Sequence, residues 1–255
     1  MTTSDDGRER EAWRGGHRGR VPARVQADRE VIARVDRLLE ERYGSDESRL
    51  LLGQVGRDPV DVLVATVLSQ ATSDRASMEA FRRLKEHFPR WEAVLEASPA
   101  QLEKLIAPAG LGRQKAMRIA AILKALKAQA GRVCLDFLRG VPPEEARRFL
   151  EGLPGVGPKT AACVLLFGLG RAAFPVDTHV YRVARRLGLV PPKADRVRAQ
   201  RILQENLDPD RYFRLHVNLI AHGREVCRAR RPRCPECPLR SLCDAASIPA
   251  SPQAP

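Results

Sequence analysis

Apolar residues recur along most of the chain at the three-and-four spacing of amphipathic helices, and no convincing run of alternating positions argues for strands. Asp28 can cap a helix running through about Arg42, with Val31, Val35, Leu38 and Leu39 on one face. Asp58-Pro59 opens a second through Leu63, Val67 and Leu68, with proline in the first turn, where its missing N–H costs nothing. Ser73-Asp74 starts a third, to about His87, and Ser98-Pro99-Ala100-Gln101 reads as a capping box. Further helices follow Gly112, Pro142-Pro143, Pro158 and Asp177, and the last long one covers about Asp210–His222. The pattern predicts an all-α fold. Residues 1–27 mix Gly15, Gly16 and Gly19 with scattered arginines and no apolar period, so they read as a disordered basic leader; residues 246–255 read as a flexible tail.

Composition narrows the function. Hydrophobic residues make up 44% of the 255, enough to bury a core. The longest uncharged apolar run, about 160–170, falls short of the roughly 20 residues that cross a bilayer. No charged-then-apolar signal stretch opens the chain, so the expectation is a cytoplasmic protein with no membrane partner. The formal net charge of +13 is unevenly spread: residues 28–112 carry −3, residues 113–193 carry +10 and residues 224–240 add +4. That asymmetry implies a face that meets a polyanion. With only 5% aromatic residues, stacking on single strands is a poor fit, and duplex DNA is the better one.

Two stretches echo each other. Pro108-Ala109-Gly110-Leu111-Gly112 leads into Arg113-Gln114-Lys115, and Leu153-Pro154-Gly155-Val156-Gly157 leads into Pro158-Lys159-Thr160. Both read helix, tight glycine turn, helix. Glycines let another chain approach closely, and the N–H groups at a helix start suit a phosphate, so the second stretch reads as a helix–hairpin–helix that grips DNA backbone without reading sequence. Lys159 sits in the first turn of its helix, where the dipole and partial burial favour an uncharged amine, the form needed for nucleophilic attack. Lys115 is the competing candidate, one position later relative to its own turn.

Asp177, in Val176-Asp177-Thr178-His179, can cap the next helix. The same amide donors keep a carboxylate ionised, and such a carboxylate near a sugar can stabilise positive charge at the anomeric carbon. His179 reads as a structural or phosphate contact. Cys227, Cys234, Cys237 and Cys243 form C-x6-C-x2-C-x5-C, which in a cytosolic-looking chain points to zinc or an iron–sulfur cluster rather than disulfides. The loop between the first two holds Arg228, Arg230, Arg231 and Arg233, a basic edge for phosphates. Cys134 and Cys163, in apolar surroundings, read as core.

The hairpin with its lysine, the Val176–His179 run and the four-cysteine loop, in that order, resemble the endonuclease III family of DNA glycosylases, of the helix–hairpin–helix–Gly/Pro–Asp superfamily, over about residues 28–245. The resemblance implies two helical domains with DNA between them. One is a six-helix barrel over 53–168, with the helix–hairpin–helix at about 144–168. The other joins 28–52 to 169–245 and carries a [4Fe–4S] cluster rather than zinc. It implies a monomer, associated with the nucleoid, acting on double-stranded DNA that contains damaged pyrimidines or abasic sites. Lys159 would attack C1′ of the flipped nucleotide and form a Schiff base, β-elimination would nick the strand, and Asp177 would assist. DNA contacts would fall to Leu153, Gly155, Val156, Gly157, Thr160, His179, Gln70, Ala71, Leu111, Gly112 and Arg113. Leu111 matches the family's inserted leucine. The family often has glutamine at the place of Ala71, with Gln70 one place early and, on a helix, rotated by about 100°; altered damage preference is the expectation. The alternatives are an enzyme of the same fold acting mainly on abasic sites, a non-catalytic duplex-binding module with a structural metal, and a zinc-containing adaptor.

Overall fold

A computed structural model describes residues 29–247, so the expected leader and nearly all of the expected tail lie outside the described residues. Among those residues the ordered elements are helices and single turns, with no strands. The ten α-helices of more than four residues among them are α1 (Arg29–Tyr43), α2 (Pro59–Leu68), α3 (Asp74–His87), α4 (Pro99–Ile106), α5 (Gly112–Ala130), α6 (Pro143–Glu151), α7 (Pro158–Cys163), α8 (Thr178–Arg186), α9 (Arg196–Asn206) and α10 (Tyr212–Glu225). The all-α expectation holds. The Arg196–Asn206 helix had no counterpart in the sequence reading, because Ala199 and Leu203 are its only buried residues and its other positions are largely charged or polar.

The start signals act as the sequence proposes. The side chains of Asp58, Ser73, Ser98 and Asp177 accept from the amides of their first turns. At Ser98 the box is only half closed: Gln101 turns its amide to His87, 2.9 Å away. A neighbouring side chain across the α3–α4 corner out-competes the local return bond.

Nearly every residue of α2 is buried, as a helix apolar on all sides must be. It packs against α3, α5 and α7 and against the turn that prolongs α7. That prolongation, Val164–Gly168, widens into π-helical pitch and is wholly buried. It closes on α2 where Gly168 meets Pro59; an added Cβ at Gly168 would lie 2.7 Å from Pro59 Cα. Its Phe167 ring faces Phe213 and His216 of α10, with centroids 5.4 and 5.7 Å away. The π turn is therefore the joint between the α2–α7 bundle and the helices that follow.

The N-terminal helix packs on the C-terminal α10. Asp36 of α1 is fully buried and would be an uncompensated charge without Arg214, which donates to both of its oxygens, and Arg211, 3.4 Å away. Asn218 donates to Glu40 at 2.8 Å.

Candidate active site and nucleic-acid interface

The hairpin lies between α6 and α7. Gly152 caps α6 through bonds to Arg148 and Phe149, and Val156 N–H closes the turn on Leu153 O at 3.1 Å. Gly155 adopts φ +71°, a left-handed angle that side chains avoid. Leu153 and Val156 are buried, as is Thr160, so these three expected DNA contacts can offer only main-chain groups. The apolar side chains of Leu153 and Val156 instead anchor the turn, which leaves Gly155 and Gly157 exposed at its tip.

Lys159 stands half-buried in the first turn of α7. It bonds the thiol of Cys163 one helical turn on; burial raises that thiol's pKa, while the Lys159 ammonium pulls it down and the Asp177 carboxylate pushes it up. His216 of α10 senses the same two charges. Burial pushes its pKa down to about 4, and its Nδ1 lies 2.9 Å from the carbonyl of Pro175, two residues before Asp177. A neutral His216 donating that proton pins the extended Pro175–Asp177 segment. Lys159, Cys163, Asp177 and His216 thus form one electrostatic group beside the joint between the two halves. Asp177 caps α8, with Oδ1 accepting from Val180 N–H at 2.8 Å. Chemically the group offers an amine and a carboxylate near the buried Cys163 and His216.

Lys115 has a different environment. It is buried, and its amine donates to Leu68 O at 2.7 Å, Thr72 Oγ1 at 2.6 Å and Ala109 O at 2.8 Å. Burial, with a smaller push from Arg118, lowers its pKa to about 8. All three of its hydrogen-bonding directions are used to staple the 68–72 turn to the 107–112 turn. It is not placed to attack anything.

Those two stapled turns carry the expected wedge residues. Ala71 and Leu111 both adopt left-handed angles, φ +53° and +50°, at exposed tips. Leu111 is 60% exposed, far more than an unengaged leucine favours. Arg113 is exposed beside it and Gly112 begins α5. The register argument at Ala71 needs correction. Helix α2 ends at Leu68, so residues 70 and 71 lie in a turn, and one residue of offset there is no 100° rotation. Gln70 leans inward, its Oε1 held by Arg118 at 2.5 Å, while Ala71 makes the corner.

His179 is half-buried, with Nδ1 3.1 Å from Arg182; burial lowers its pKa. It supports α8 against α10. Cys163 is core as expected, but Cys134 is only half-buried: Val133 and Leu135 point inward and turn it toward Asp136, 3.3 Å away.

The six cysteines, all within the described residues, form no disulfide. Burial, with the charges of Cys227, Cys243 and Cys234, raises the Cys237 pKa to about 11. The four sulfurs are therefore neighbours. Among the described residues, however, no three His, Cys, Asp or Glu side chains close on a point that could hold a metal ion. The donor chemistry still fits a thiolate-bound group. Arg186 donates to Cys227 Sγ at 3.3 Å, and His222 Nε2 stands 3.6 Å from Cys237 Sγ. The Arg186 N–H is of the kind that steadies metal-bound thiolates. Arg182 and Arg186 of α8 also bond the carbonyls of Gly223, Cys227, Arg228 and Ala229, holding the loop in shape. In the sequence these arginines count only as charge, because they lie more than forty residues before the loop they hold. His216 gave no signal either, since its partners are distant in sequence.

Comparison with known proteins agrees with this arrangement. A family model described as HhH-GPD superfamily base excision DNA repair protein matches residues 64–209. The endonuclease III of Thermotoga maritima is 35% identical over 187 residues, covering 73% of this chain and 83% of that protein. A DNA glycosylase candidate from Arabidopsis thaliana is 42% identical over 168 residues, 66% of this chain; the match spans only 57% of that protein. Among solved structures, an endonuclease III trapped as a covalent intermediate with DNA superposes with a TM-score of 0.75 at 29% identity, over 86% of this chain and 97% of that one.

Proposed function

The chain belongs to the endonuclease III family of the HhH-GPD superfamily of base excision DNA repair proteins, and on that premise we propose that it removes oxidised pyrimidines from double-stranded DNA and nicks the resulting abasic site. The observation that carries the proposal is Lys159. It stands at the start of the hairpin helix, grouped with Asp177 and His216, while the rival lysine is spent on structure.

The chemistry follows from those placements. The main-chain N–H groups around Gly155–Gly157 and the start of α7 bind a backbone phosphate. Leu111 enters the duplex as the damaged nucleotide leaves it, an extrusion that costs a few kcal/mol and is cheapest at a damaged pair. Lys159, after giving up a proton to solvent, bonds through its nitrogen to C1′ while the bond from C1′ to the base breaks, and the base departs with that electron pair and takes up a proton. Asp177 stabilises the positive charge building at C1′. The bonded nitrogen then loses one proton, and its lone pair opens the sugar ring as O4′ takes up a proton, giving the protonated imine. Removal of a C2′ proton then expels the 3′ phosphate, and water frees the lysine. Cys227, Cys234, Cys237 and Cys243 would hold a [4Fe–4S] cluster, whose part is to clamp the arginine-bearing loop in the shape that meets phosphates. The protein acts as a monomer.

Borohydride reduction during turnover should trap a covalent adduct with a lesion-bearing duplex, and Lys159→Ala should abolish it. An adduct that persists in this variant would sink the assignment. Duplex binding without any nicking would instead favour the non-catalytic module.

A further inference from the structure

The two DNA-facing parts of the site, the stapled wedge turns and the phosphate-binding hairpin, come from separate stretches of chain. One side chain spans them. Arg118, half-buried on α5, donates from Nη1 to Gln70 Oε1 at 2.5 Å. The same side chain lies flat against the hairpin tip: an added Cβ at Gly155 would stand 2.6 Å from Arg118 Nε and 2.9 Å from its Cδ. The contact therefore needs glycine at 155 for space as well as for its left-handed backbone. Arg118 also lies close enough to Lys115 to lower its pKa, so it sits on top of the wedge staple.

We propose that Arg118 is a positioning residue that ties Gln70 of the wedge to the hairpin, so that gripping the backbone phosphate sets where the wedge stands during base extrusion. This rests on the glycosylase and lyase reading above. The physical argument is one of freedom. Gln70 lies beyond the end of α2, in a turn. An unheld glutamine there would sample many rotamers and lose them only when DNA arrives, which weakens the step that needs it. Arg118 removes that freedom in advance. It takes its own position from the hairpin, the element that touches phosphate whether or not a base is damaged. A preformed abasic site has no base to extrude and depends on the link less.

The test compares two duplexes, one with a single thymine glycol and one with a preformed abasic site. Arg118→Ala and Gln70→Ala should each lower kcat/KM on thymine glycol about tenfold more than nicking at the abasic site. The double variant should be no worse than the worse single, because both remove the same link. Losses that multiply, or that fall equally on both substrates, would overturn the proposal. So would full recovery in Arg118→Lys, which keeps the charge but not the planar fork and would reduce Arg118 to a phosphate contact. Thermal melting of each variant, expected to stay near the wild type, guards against a folding artefact. If the wild-type protein nicks neither duplex, the functional reading falls first. The link is then judged by the same double-variant comparison in affinity for a duplex carrying a tetrahydrofuran abasic analogue, where additive losses would overturn it.

Discussion

The two glycine turns, so alike in sequence, are built inside out from each other. At 107–112 the lysine is buried on three oxygens and the leucine is thrown into solvent. At 153–157 the leucine and valine are buried and the lysine emerges beside a carboxylate and a histidine. The one-residue offset between the lysines accounts for this: on α5, residue 115 turns toward the bundle, whereas on α7, residue 159 turns toward the seam. The comparison shows that a repeated motif need not repeat a job. In the proposed function, one copy would present a side chain to DNA and the other its backbone.

The largest effect expected is on catalysis, and exchanging the fates of the two lysines breaks the comparison most directly. Lys159→Ala should lower nicking on the order of a hundredfold or more. Lys115→Met should keep trapping per folded molecule yet cost about 1–3 kcal/mol in urea unfolding, because the carbonyls of Leu68 and Ala109 lose a buried donor. If the Lys115 variant alone lost the adduct, the roles would be reversed.

Acid should act through two buried histidines, His216 beside the hairpin helix and His222 beside the cysteine loop, both pushed down to about 4 by burial. His216 binds its proton near pH 6.5 when unfolded and only at about 4 when folded, so the unfolded chain holds more protons between those values. Its share of the stability, present above pH 6.5, should fall by up to roughly 3 kcal/mol as pH drops to 4. His216→Asn, whose amide can stand in for the Nδ1 donor, should flatten that slope in denaturation curves taken across this range. An unchanged slope would remove His216 from the account.

Smaller effects separate the two glycines of the hairpin. Gly155→Ala should cost about 1–2 kcal/mol, since a side chain there meets Arg118 at a left-handed φ. Gly157 has φ −101° and no atom within 4 Å of an added Cβ, so Gly157→Ala should leave melting unchanged. It should nonetheless weaken duplex binding, because the added methyl stands where a phosphate approaches. Leu111→Ala, smallest in stability terms, should change unfolding by no more than about 0.5 kcal/mol at so exposed a site. Lesion processing should drop with it; equal processing would deny Leu111 its wedge role.

Much of this was legible in the order of residues. Helix starts were readable because caps are local: Asp58, Ser73, Ser98 and Asp177 each bond an amide two or three residues away. The four cysteines were readable as a set because their spacing is a pattern within a short window. The Arg196–Asn206 helix was lost for want of an apolar stripe, and Gln70 was misjudged because a helix was extended past its true end.

By itself the sequence determined the all-α class, the two glycine turns, the pair of rival lysines and the cysteine set, all of which are properties of short windows. Only the tertiary structure decided which lysine is tied into the packing, because that depends on Leu68 and Thr72, more than forty residues before Lys115 in the chain, arriving at its amine. It likewise brought His216 under Asp177 and laid Arg118 across Gln70 and Gly155. Burial and hydrogen-bond partners belong to packing, and packing joins residues that no local pattern connects.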